Sequence, residues 1–76
     1  MKDLLIFLTK SIVDHPEEIV IEEKEEDGQI NLSLQSNRYD IKMIIGKKGR
    51  TIKAIRELLK IRAIKEKKKF SFNLNQ

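Results

Sequence analysis

Gly46-Lys47-Lys48-Gly49, followed by Arg50, is the segment of this 76-residue sequence best suited to chemistry, and that chemistry is recognition of an anion. Glycine has no Cβ to hold a ligand away, and it reaches positive φ without strain. If a helix begins just after the second glycine, its free N–H groups and the positive end of its dipole meet at the same place. Lys47 and Lys48 add mobile point charges there, and Arg50 extends them. Together these groups suit the phosphates of a backbone laid against the loop. Two glycines three apart often mark nothing more than a turn between helices. A plain turn, however, needs neither Ile44 and Ile45 before it, nor Ile52 three residues after it, nor a cluster of bases upon it.

Other reactive residues form no comparable group. His15 has no cysteine or second histidine beside it and precedes Pro16, which suits a surface turn. Asp14, Glu17 and Glu18 have the chemistry of an acid–base pair or a cation site, but nothing in their spacing makes them converge, and a solvated acidic loop is the favoured reading. With no nucleophile–base arrangement, Walker loop or metal-ligand spacing, no catalytic residue, metal ligand or cofactor is assigned.

The elements that would position the loop follow from periodicity. Leu4, Leu5, Leu8 and Ile12 recur at helical spacing from Asp3 to Val13, with Asp3 as the expected N-cap. Ile19 and Ile21 alternate with polar residues, Asp27-Gly28 supplies a type I′ turn, and Ile30, Leu32 and Leu34 alternate again, which predicts a hairpin with one apolar face. A short helix is expected over Tyr39 to Ile45, capped by Asp40 and stopped by Gly46. Beyond Gly49, Ile52, Ile55, Leu59 and Ala63 lie on one side of a helix from Arg50 to Lys65, with Lys53, Arg56 and Lys60 opposite and Lys67 assigned to the same basic face. Lys67-Lys68-Lys69 reads as the connection to a last strand in which Phe70, Phe72 and Leu74 alternate with polar residues. The expected fold class is therefore α+β, in the order α-β-β-α-α-β. The path through two helices lets the last strand lie parallel to the hairpin's second strand. A mixed three-stranded sheet with helices on one face results.

Size and charge narrow the class further. A chain of this length has room for one domain, taken as residues 1–76, with a small core and no disulfide to reinforce it. The apolar run Leu4 to Leu8 is too short for a signal sequence or a membrane span, so the expected location is cytoplasmic, away from membranes. The net charge of +4 conceals a division. Residues 14–27 carry Asp14, Glu17, Glu18, Glu22, Glu23, Glu25, Glu26 and Asp27 against Lys24 alone. Residues 42–69 carry twelve of the sixteen bases against Glu57 and Glu66. A polyanion is repelled by the first stretch and attracted by the second.

Residues Asp40 to Arg56, read as Asp-Ile-Lys-Met-Ile-Ile-Gly-Lys-Lys-Gly-Arg-Thr-Ile-Lys-Ala-Ile-Arg, resemble the K-homology (KH) signature. The element order is similar to the bacterial, type II, KH arrangement. The whole chain, including Leu8-Thr9-Lys10-Ser11-Ile12-Val13-Asp14-His15-Pro16-Glu17-Glu18, resembles the small single-KH-domain RNA-binding proteins of bacteria, the KhpA family. The resemblance implies that Gly46, Lys47, Lys48 and Gly49 hold about four nucleotides of single-stranded RNA by the backbone. It further implies that bases lie in an apolar groove beside the loop, with Ile41, Ile45 and Ile52 as lining residues. Ile44 is a weaker candidate, and for each isoleucine the competing assignment is core. Arg50, Lys53 and Arg56 would follow the phosphates, unless that face is merely solvated. An aliphatic floor reads sequence weakly, so specificity is expected to be low, as in an RNA chaperone or post-transcriptional regulator. Lys42 stands where such proteins commonly have glycine.

Phe70 and Phe72 would be a stacking platform if exposed, although their alternation favours core. Ala54, Leu58 and Ile61 make a second apolar flank on the long helix, covered either by another helix of the chain, the favoured case, or by self-association. Relatives imply a homodimer or a heterodimer with a second KH-containing protein, and a docking subunit of a larger RNA-binding complex is the alternative function. Helix-turn-helix binding to duplex DNA uses the same two helices. It fits less well because the charge sits on the turn.

Overall fold

A computed structural model describes residues 1–75. Its elements are α1 (Lys2–Lys10), β1 (Val20–Glu26), β2 (Gln29–Gln35), α2 (Arg38–Ile45), α3 (Arg50–Lys65) and β3 (Lys69–Asn75), with short 3₁₀ turns at Pro16–Glu18 and Lys47–Gly49. This is the α-β-β-α-α-β order of a type II KH fold.

The sheet order is β1-β2-β3, with β1 antiparallel and β3 parallel to the central β2. Asp27 (φ 50°) and Gly28 (φ 77°) both take positive φ, as a type I′ turn requires, and the hairpin closes with Glu26 opposite Gln29. Because side chains alternate, the register aligns apolar rows on one face: Ile21, Leu34 and Leu74; Leu32 and Phe72; Ile30 and Phe70. The helices cover that face, and Leu5, Ile44, Ile55 and Leu59 join Ile30, Leu32, Leu34 and Phe72 in one core. Each such side chain contributes roughly 1.5–3 kcal/mol by leaving water. The other face is polar, with Ser71 hydrogen-bonded to Asn31 at 2.8 Å. Edge strand β1 is mostly charged. Glu23 accepts the Lys2 N–H at 2.9 Å, and Glu25 pairs with Lys68 at 2.9 Å.

Three boundaries differ from expectation. α1 ends at Lys10 rather than Val13, because Ile12 and Val13 turn inward while the N–H groups of Asp14 and His15 donate to the distant Asp40 carboxylate. Asp3 does not cap α1; Met1 occupies the cap position, and Asp3 lies in the first turn, where its charge complements the dipole. Asp40 does not cap α2 either. Asn37 does, accepting the Asp40 N–H at 2.8 Å, and the helix begins one residue earlier than the apolar pattern indicated. The extent of α3 is as predicted, so Lys67, at φ 57° beyond its end, is not on the helix face assigned to it.

The second apolar flank is uncovered. Ala54 is exposed, Leu58 and Ile61 are 45% and 62% exposed, and Ile64 adds to the same side of the molecule. The favoured expectation of cover from another helix of the chain is thus overturned: α1 packs against β1 and α3 and still leaves Leu58 and Ile61 exposed. Among the described residues no helix is long and apolar enough to cross a membrane.

Candidate nucleic-acid interface

α2 and α3 meet at the glycine-bounded loop. The Gly46 N–H bonds to the Lys42 carbonyl at 2.9 Å and ends α2, and the Gly49 N–H bonds back to the Gly46 carbonyl at 3.1 Å. Gly46 (φ 76°), Lys48 (φ 57°) and Gly49 (φ 73°) all have positive φ. The two glycines are nevertheless glycine for different reasons. A Cβ on Gly46 would fall within 2.6 Å of the Thr51 Cβ, so the joint between the helices cannot close around a larger residue. A Cβ on Gly49 would meet only the Ile52 Cγ2, at 3.9 Å. Space over Gly49 is otherwise open.

α3 starts at Gly49 without a side-chain cap: the Arg50 N–H donates to the Lys47 carbonyl, and no side chain accepts from the N–H groups that follow. Lys47, Lys48 and Arg50 are exposed around this end, and Lys53, Arg56 and Lys60 continue the cationic surface along α3. Among the described residues none of these six is in an ion pair, and Glu57 is the sole acid on α3. The Arg56 guanidinium lies over the Phe72 ring at 5.3 Å from its centroid, a cation–π contact that orients its charge above β3.

The isoleucines divide. Ile45 and Ile52, on either side of the loop, pack against the core yet keep part of their surface outside. Ile44 and Ile41 are 0% and 1% exposed. Assignment of Ile41 to a groove is corrected to core, because on the short α2 its direction is the one that closes over the sheet. Phe72 is core at 2% exposure, and Phe70 is half-buried against it.

Sequence reasoning missed the group that positions α2. Asp40 is fully buried, and its carboxylate accepts from the Asn37 side-chain amide at 3.0 Å, the His15 N–H at 3.0 Å and the Asp14 N–H at 3.3 Å. Burial by itself would raise this carboxyl, but the Asn37 amide and the two backbone donors outweigh it and hold Asp40 below the ordinary value of 3.8. His15 Nδ1 lies 3.6 Å from the same carboxylate. The spacing Asn37-x-x-Asp40 resembles a capping box and was the available signal. Among the described residues no group of three or more His, Asp or Glu side chains is placed to hold an ion, and Asp14, Glu17 and Glu18 form none.

The family model described as "KhpA/KhpB, KH domain" matches residues 2–74. The chain is 44% identical over 69 residues to the RNA-binding protein KhpA of Clostridium perfringens, covering 91% of this chain and 92% of that one. It is 51% identical over 59 residues to the RNA-binding protein KhpA of Chlamydia caviae, covering 78% and 76%. To the protein of that name in Bacillus subtilis it is 35% identical over 74 residues, covering 97% and 91%. No solved structure matches.

Proposed function

Since the chain belongs to the KhpA/KhpB KH-domain family, we propose that it binds single-stranded RNA without catalysing a reaction. Gly46, Lys47, Lys48 and Gly49 hold the sugar-phosphate backbone, and Ile45 and Ile52 form the aliphatic floor on which adjacent bases lie. Arg50, Lys53 and Arg56 follow the phosphates onward. The observation that carries this reading is the conjunction at one loop of an open Gly49, an uncapped helix N-terminus and exposed cations without acidic partners. The relatives' shared description as RNA-binding proteins supports it.

Aliphatic contact reads bases weakly, so the protein acts with low sequence specificity, as an RNA chaperone or post-transcriptional regulator in the cytoplasm. Neutralising roughly three phosphates gives log affinity a slope of about −2 against log salt, and a lone domain binds at micromolar strength, about −8 kcal/mol. Fluorescence anisotropy of a short unstructured RNA with the wild type and the double substitution Lys47→Asp/Lys48→Asp tests the assignment, with circular dichroism to establish that both are folded. Loss of binding by the folded variant is expected. Unchanged binding would move the site away from the loop.

A second reading, a dimerising or docking subunit of a larger RNA-binding complex, is favoured by the uncovered stripe of Leu58, Ile61 and Ile64. The occupant would be a second copy or another KH-containing protein. Joining two weak sites in this way raises affinity without new contacts to RNA.

A further inference from the structure

We propose that Tyr39 is a stacking platform for a base beyond those at the loop, so that the bound strand continues along the outer face of α2. The proposal rests on the RNA-binding reading above and extends that site.

Four aromatic residues occur in the sequence, and their burial separates them. Phe72 is core and Phe70 half-buried. Phe7 is 69% exposed on α1, with Asp3 and Lys10 one turn away on either side, a face of mixed charge. Tyr39 is 76% exposed in the first turn of α2, the helix that ends at Gly46. Its exposed neighbours are Arg38 and Lys42, which stand one turn apart on one face. Ile45, the groove residue, follows on that face seven positions after Arg38. The one acid of this helix, Asp40, is buried and fully engaged by Asn37, Asp14 and His15. α2 itself therefore presents two cations and an aromatic ring outward and no exposed acid, while the segment that reaches Asp40 from outside the helix carries the exposed Asp14.

Geometry and order suit a strand leaving the loop. Seven residues at 1.5 Å each put Tyr39 roughly 10 Å along the helix from Gly46, within reach of the next nucleotides of the same strand. The turn that carries the ring is fixed by the Asn37 cap and the Asp40 carboxylate, so little ordering is needed on binding. A base of any identity can stack on a tyrosine, while Arg38 and Lys42 sit where its phosphates would pass. Lys42 is then a phosphate contact in place of an obstruction.

The test compares oligouridylates of four and eight nucleotides with wild type, Tyr39→Ala and Tyr39→Phe by anisotropy. Tyr39→Ala is expected to weaken octanucleotide binding about tenfold, with an unchanged salt slope, and to leave tetranucleotide binding as it was. Tyr39→Phe keeps wild-type affinity. Because the ring is in solvent, the melting temperature of either variant stays within about 3 °C of wild type. As the sequence has one tyrosine and no tryptophan, the ring-proton resonances of Tyr39 report directly, and they shift upfield with the octanucleotide only. Equal octanucleotide affinity for wild type and Tyr39→Ala, or equal losses on both oligomers, would overturn the proposal and leave the loop site standing. Failure of the wild type to bind either oligomer would remove both readings.

Discussion

At the scale of single residues, the glycine-bounded loop contains two positions at which a Cβ has different consequences. Gly46→Ala puts a methyl group against Thr51 in a left-handed conformation, whereas Gly49→Ala carries the conformational penalty without the clash. Gly49→Ala is expected to cost about 1 kcal/mol, a fall in Tm of roughly 4–8 °C, and Gly46→Ala about twice that or more. Thermal unfolding by circular dichroism checks the order. Lys48 has the opposite character, being a non-glycine residue held at φ 57° and ψ 26°. Lys48→Gly relieves that strain at some cost in chain entropy, for a net gain of about 0.5–1 kcal/mol. It also deletes a cation, so the salt slope for RNA should shrink by about 0.7 while Tm rises. A variant more stable and weaker in binding would mark the strain as serving the site.

At the scale of elements, α2 is a two-turn helix whose direction is set at its first turn. Asn37→Ala removes the cap and is expected to cost about 1 kcal/mol, read as a Tm lower by roughly 4–8 °C. The Asp40 carboxylate adds a pH dependence of definite sign. Its folded-state pKa lies below 3.8, so its stabilising effect is complete above that value and is lost as pH falls through the lower, folded value. Urea titrations from neutral pH down through this range should show wild-type stability falling more steeply than that of Asp40→Asn, which lacks this group. Asp3 is also held low, by the Leu4 N–H and the terminal amine, and contributes equally to both proteins, so the difference isolates Asp40. The pair Asn37 and Asp40 shows how far local reasoning reaches. A cap residue three before an acid is visible in the chain, but the N–H groups of Asp14 and His15 that complete the site come from across the fold.

At the scale of the whole molecule, the division of charge along the chain becomes a division in space. Acidic β1 is one edge of the sheet, while basic α3 packs over β3 at the other. A polyanion is thereby steered to one side, by a field that salt screens. The exposed stripe on α3 bears on assembly. If a second copy closes it, mass measured by sedimentation rises with wild-type concentration and stays monomeric for Leu58→Lys, whose Tm is little changed because the position is 45% exposed.

The element order, the hairpin turn, the parallel crossover and the glycine-bounded loop were legible in the order of residues alone. All of these follow from interactions between residues close in the chain, or from alternation that admits one apolar face. Packing between distant elements makes Ile41 core while Ile45 and Ile52 keep an outer surface, since the period of a helix is the same whichever neighbour covers each side. It also decides that the Leu58 flank stays open and that Asp40 is a buried acceptor in place of a cap. Those outcomes depend on which elements arrive from elsewhere in the chain to supply atoms or to leave a face in water, and no local spacing encodes their arrival.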